Sequence, residues 1–138
     1  MRAKRKPKWE PALSVDDALV DQQHKKLIEL CEQAADCVDA TGALAHERFH
    51  TVLNDIYACA SEHFRTEETL LASHDYPEFT EHKREHEDFM THMAEFLYAT
   101  IEGSMERSAL YHYLEAWFNQ HKLESDMRYK RYLPGRVV

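Results

Sequence analysis

Apolar residues recur at threes and fours along four stretches of the chain, which is the period of one face of an α-helix. In the first stretch Val20, His24, Leu27, Ile28, Cys31, Ala34 and Val38 share a stripe. Ser14-Val15-Asp16-Asp17 ahead of it reads as a capping box, with acid where a helix N-terminus favours it. Thr41-Gly42 is expected to end this helix, because glycine takes the left-handed cap conformation at little cost. A second stripe holds Val52, Ile56, Cys59, Ala60, His63, Glu67 and Leu70. It breaks at Ser73-His74-Asp75-Tyr76-Pro77, where Pro77 suits the first position of the next helix. The third stripe is His82, His86, Phe89, Met93, Phe96, Leu97 and Ile101, stopping at Gly103-Ser104. The fourth runs through Leu110, Leu114, Trp117 and His121 to about Leu133-Pro134.

Four helical stretches with short breaks predict an all-α fold, an up-down-up-down antiparallel four-helix bundle over 14–133. An extended N-terminal arm is expected at 1–13 and a short tail at 134–138. Only 3 Gly and 4 Pro punctuate 138 residues, which suits a few long helices better than many strands. No apolar run is long enough to span a membrane. The basic start has no apolar stretch behind it, so it does not read as a secretory signal.

Charge narrows the partners. The net charge is −8, and the five cations Arg2, Lys4, Arg5, Lys6 and Lys8 leave −13 on the rest. A body that acidic repels phosphate backbones, which argues against a nucleic-acid partner, and the basic arm reads as a solvated tail. Three cysteines, Cys31, Cys37 and Cys59, cannot all pair and form no CxxC motif. They read as reduced, mostly buried thiols of a cytoplasmic protein.

The 10 histidines change the picture. Residues four apart share a helix face, so His63 points with Glu67 and His82 with His86. The first helix adds His24 and the fourth adds His121 and Asp126. At about 1.5 Å per residue, all seven lie roughly 8–18 Å from the bundle end where the first and third helices start and the second and fourth finish. A lone histidine on an apolar face is usually a hydrogen-bonded core residue. Seven buried polar groups in one layer, however, each need a partner, and a metal satisfies all of them at once.

The order His24, His63-x3-Glu67, His82-x3-His86, His121-x4-Asp126 resembles the hemerythrin family. Its neighbours agree: Trp9-Glu10-Pro11-Ala12-Leu13, Asp21-Gln22-Gln23-His24-Lys25, His63-Phe64 with Glu67-Glu68, and Trp117 four before His121. The resemblance runs from about Trp9 to Leu133. It implies a non-haem centre of two iron ions with an oxo or hydroxo bridge. His82, His86 and His121 would saturate one iron, His24 and His63 would hold the other, and Glu67 and Asp126 would bridge them. Five imidazoles, two bridging carboxylates and one solvent bridge leave one of twelve positions open on two six-coordinate irons. A thiolate-free set of this kind suits iron better than zinc. The expected function is reversible binding of dioxygen, or of nitric oxide, in a carrier, store, delivery protein or sensor rather than an enzyme. An oxygen-consuming enzyme would be the partner of a delivery protein.

Two details qualify this reading. His121 and Asp126 are five apart, which an ideal α-helix separates by about 140°, so the fourth helix is predicted to widen there as at a π-bulge. Hemerythrins usually carry an aliphatic residue where Phe118 stands and often isoleucine where Lys122 stands, so Trp117 and Phe118 are expected to line the oxygen pocket.

Other motifs compete weakly. His46-Glu47-Arg48-Phe49-His50 and His82-Lys83-Arg84-Glu85-His86 spell short zinc-protease patterns. The first is expected on the outer surface of the second helix, and in the second Glu85 should point away from the ligand face. A ferritin-like di-iron oxidase or peroxidase needs ExxH on two helices, and only Glu47-Arg48-Phe49-His50 fits. A structural interaction bundle would hold no iron. His74, His92 and His112 read as surface or supporting residues.

Overall fold

The computed structural model describes residues 14–15, 17–38, 41–102 and 106–132. The expected arm and tail, and Gly103-Ser104, lie outside them. Among the described residues the chain forms α1 (Ala18–Asp36), α2 (Ala43–Ser73), α3 (Phe79–Glu102) and α4 (Arg107–Gln120). A π-helical stretch, His121–Asp126, continues α4 directly into α5 (Met127–Tyr132).

Side-chain pairings fix an antiparallel bundle. Between α2 and α3, His50 meets Thr100, Phe64 meets Phe89 and Glu68 meets His86, so later residues of one pair with earlier residues of the other. Between α3 and α4, Phe96 meets Tyr113, Phe89 meets Trp117 and Glu85 meets His121. Phe118 against His24 and Arg107 against the Cys37 carbonyl close the ring from α4 to α1.

The predicted stripes mostly face inward. Leu27, Cys31, Leu53, Ile56, Ala60, Phe89, Met93, Leu110 and Leu114 form the main core. Each large side chain fully buried there stabilises the fold by about 1.5–3 kcal/mol. A smaller cluster, Val15, Val20, Leu71, Tyr76 and Tyr129, closes the end where the histidines gather. Ile101 departs from its stripe: it is 75% exposed while Thr100 is buried. The helix has rotated enough by its last turn to send the hydroxyl inward, where it donates to the Leu97 carbonyl and meets Nδ1 of His50.

Helix ends differ from expectation in three places. The N-cap of α1 is Asp17, whose carboxylate accepts from the Val20 N–H. Ser14 instead donates to Asp21, which also takes the Val15 N–H. Gly42 does not end α1, which stops at Asp36; it starts α2, with φ of +97°, a conformation that side chains disfavour. Pro77 lies in the turn before α3 rather than inside it, and Asp75 takes the left-handed conformation in that turn.

Candidate metal centre

Each helix contributes to one buried slab. On α2, His63 and Glu67 stand one turn apart, and on α3 so do His82 and His86; α1 adds His24, and the α4 extension adds His121 and Asp126. All seven are buried. Four of them, Glu67, His82, His86 and His121, bring one ligand atom each within 4.8 Å of one another.

Glu67 sits at the centre. Its Oε1 lies 2.9 Å from Nε2 of both His82 and His86 and 3.9 Å from Nε2 of His121. Its Oε2 accepts from the Tyr129 hydroxyl at 2.8 Å and lies 3.9 Å from Nε2 of His63. One carboxylate therefore faces two histidine groups, one oxygen to each. Asp126 approaches the first group: Oδ1 is 3.1 Å from Nε2 of His82 and 3.0 Å from Nε2 of His121. His24 and His63 form the second group, stacked at 5.4 Å with planes 11° apart.

The α4 extension explains how Asp126 reaches the cluster. Residues 121–126 are π-helical, as the five-residue spacing predicts. A turn closed from i to i+5 brings the residue five positions on back towards the face of the first.

Aromatic rings wedge the imidazoles. Phe64 stacks on His86 at 3.9 Å, and Trp117 stacks on His121 at 4.3 Å. Phe118 is tilted against His24 at 5.8 Å. Of the two expected pocket residues, Phe118 thus borders the His24 side and Trp117 packs under the opposite group. The side chain of Lys122 lies outside the described residues.

Sequence reasoning missed four partners. Glu68 meets Nδ1 of His86 at 2.8 Å, and Glu85 meets Nδ1 of His121 at 2.6 Å. Glu85 does leave the His82–His86 face, as expected, but reaches across to α4 and also takes the Ser125 hydroxyl at 2.7 Å. Tyr129 is the fourth, fully buried on Glu67. The signals were present as Glu68 beside Glu67, Glu85 beside His86, and Ser125 and Tyr129 flanking Asp126, but none marks a contact between helices.

Charge is shared across the cluster. Burial alone would raise the Glu67 pKa, yet hydrogen bonds from His121, His82 and His86 hold it well below the usual carboxylate range. Burial disfavours a charged His82, and the Asp126 and Glu67 carboxylates outweigh it, pushing its pKa up to about 9. Burial likewise opposes charge on His121, and Asp126, Glu67 and Glu85 raise its pKa well above the ordinary histidine value. Glu85 is lowered, with its own burial offset by His121 and Ser125.

The donor set fits a cation. Protons on the imidazoles hold the carboxylates together, and a metal would take the place of those protons. With Nδ1 of His86 and of His121 tied to carboxylates, the Nε2 atoms of both rings are aimed inward, the arrangement that metal-ligating histidines require. The donors are imidazole and carboxylate, while Cys31 and Cys37 are buried in the hydrophobic core. The HExxH pattern assembles nothing comparable among the described residues, though only its start lies on the outer surface as expected: His46 and Glu47 are exposed, while Phe49 is buried and His50 turns to Thr100 on α3. His74, His92 and His112 are all exposed.

An all-helical bundle with a buried histidine–carboxylate cluster at one end defines the class: a non-haem metal-binding four-helix bundle. The model of the hemerythrin HHE cation binding domain matches residues 15–133, and the chain belongs to that family. It is 26% identical over 121 residues to a bacteriohemerythrin of Stenotrophomonas maltophilia, covering 88% of this chain and 77% of that protein. A bacteriohemerythrin of Clostridium acetobutylicum is 23% identical over 124 residues, with 88% and 96% covered. A hemerythrin-like protein of Naegleria gruberi is 27% identical over 122 residues, with 88% and 89% covered. In fold the chain is similar to the crystal structure of wild-type hemerythrin, with a TM-score of 0.80 at 20% identity over 96% of this chain and 98% of that one.

Proposed function

We propose that this chain holds two iron ions and binds dioxygen reversibly, as a carrier, store or delivery protein. His82, His86 and His121 would bind one iron, His24 and His63 the other, with Glu67 and Asp126 between them. The observation that carries this reading is Glu67, which turns one oxygen to the first group and the other towards His63. An iron pair, when bound, supplies the electrons that dioxygen takes up on binding and returns on release.

The chain's own residues would make that exchange reversible. Phe64 and Trp117 stack on the His86 and His121 rings, and Glu68 and Glu85 hold their outer nitrogens, so both ligands keep their orientation. Phe118 is buried against His24 and would keep bulk water from that side of the site. The Tyr129 hydroxyl holds the second oxygen of Glu67 in place.

Three unpaired cysteines suit a reducing compartment, so we place the protein in the cytoplasm. Among the described residues no helix is long and apolar enough to cross a membrane. An oxygen-consuming enzyme is the partner this role implies, and nitric oxide is a second ligand of suitable size.

An iron assay with absorption spectra of the reduced protein before and after air exposure tests the proposal. Two irons per chain and a charge-transfer band that disappears on degassing are expected. A single iron, or a charge-transfer band that persists after degassing, would refute it.

A further inference from the structure

The π turn is held from outside its own helix. Glu85 stands on α3, and its Oε1 accepts from Nδ1 of His121 at 2.6 Å and from Oγ of Ser125 at 2.7 Å. His121 is the first residue of the turn, and Ser125 immediately precedes Asp126, its last. One oxygen atom thus ties both ends of the widened turn to the neighbouring helix. Ser125 is buried, so its hydroxyl needs a partner, and the Glu85 carboxylate is the acceptor it has.

A π turn gives up regular i to i+4 bonding, and such turns persist where other contacts hold them. Here the held feature is useful. The wide turn brings Asp126 to His82 and His121, and the bond from Nδ1 of His121 to Glu85 leaves its Nε2 facing inward. Glu68 supports His86 in the same way but touches a single ring on a regular helix. Glu85 holds two residues of the turn at once, the His121 ring and the Ser125 hydroxyl.

We propose that Glu85, with Ser125, is a positioning pair that clamps the α4 π turn and so sets His121 and Asp126 in register for metal. The inference rests on the reading of the cluster as a metal centre. Glu85 touches neither metal nor gas in this scheme; it acts through His121 and Asp126.

The test compares wild-type protein with Glu85→Ala, Glu85→Gln, Ser125→Ala and, as a control, Glu87→Ala, which removes an exposed carboxylate from the same helix. Metal-stripped protein is titrated with cobalt(II) against a competing chelator, and the visible absorption of the bound metal is recorded. Amide hydrogen exchange of the metal-stripped proteins is followed in parallel. Loss of an outer partner of a metal ligand weakens binding by roughly 10- to 100-fold. That loss is expected for Glu85→Ala, with an altered spectrum and faster exchange at residues 125–127. Glu85→Gln, whose amide oxygen still accepts, should regain most of the affinity; Ser125→Ala should lie between, and Glu87→Ala should match wild type. Equal affinity, spectrum and exchange in Glu85→Ala and wild type would overturn the clamp. So would a Glu85→Gln protein as weak as Glu85→Ala. If wild-type protein takes up no cobalt, the metal reading fails, while faster exchange in Glu85→Ala would still support the clamp on the turn.

Discussion

Replacing Glu67 by glutamine tests the electrostatics of the cluster without any metal. Glu67 is fully buried and accepts from His82 and His86 at 2.9 Å and from Tyr129 at 2.8 Å. Glutamine keeps the shape and removes the charge. The protonated His82 is then left buried beside Asp126 with one carboxylate fewer. Removing one partner of a buried ion pair costs about 3–5 kcal/mol. A domain of this size has a total stability of about 5–15 kcal/mol, so the loss should be visible as a fall in Tm of roughly 10–20 °C.

The loss should also depend on pH. Glu67 has a lowered pKa, so its contribution is complete above about 4.5 and fades as pH falls through the lower folded value. His82 has a raised pKa, so its contribution is complete below 6.5 and fades as pH rises through about 9. At about pH 10 most of the His82 imidazolium is gone, so the part of the loss that comes from its pairing with Glu67 should fade. Urea unfolding of chelator-treated wild type and Glu67→Gln at pH 7 and at about pH 10 measures both gaps. A difference under about 1 kcal/mol at pH 7, or one that does not shrink at high pH, would refute the reasoning.

Other consequences follow from the same geometry. Because the carboxylates raise the pKa values of His82 and His121, loading metal at pH 7 should expel at least one proton per chain. An indicator dye in weakly buffered solution reads that release. Phe118→Ala should destabilise the fold by about 3–5 kcal/mol, since the ring is buried between His24 and Trp117. It should also shorten the lifetime of the oxygenated, iron-loaded protein, followed by absorbance, because the His24 side is then open to water.

Much of this was legible along the chain. The four stripes marked the helices because an element that packs on one side must repeat its apolar residues at the helical period. The seven polar residues of the slab were visible as intrusions into those stripes, and their similar heights followed from helix rise and antiparallel order alone. Even the π turn was readable, since His121 and Asp126 lie five apart and could share a face only if the helix widened. Helix ends were less legible: Asp17 caps α1 and Gly42 starts α2 because capping depends on local backbone angles that several neighbouring residues could satisfy.

Only the folded chain decided how the slab is wired. Glu68, Glu85, Ser125 and Tyr129 lie off the stripes or show no period, and their value depends on a partner from another helix. Glu85 and His121 are 36 positions apart, and Tyr129 and Glu67 are 62 apart. Which oxygen of Glu67 faces which histidine group, and which side each aromatic ring covers, are likewise set by side-chain direction across the core. Periodicity reports which face of a helix is buried; it carries no record of what stands opposite, because that is set by how the helices pack.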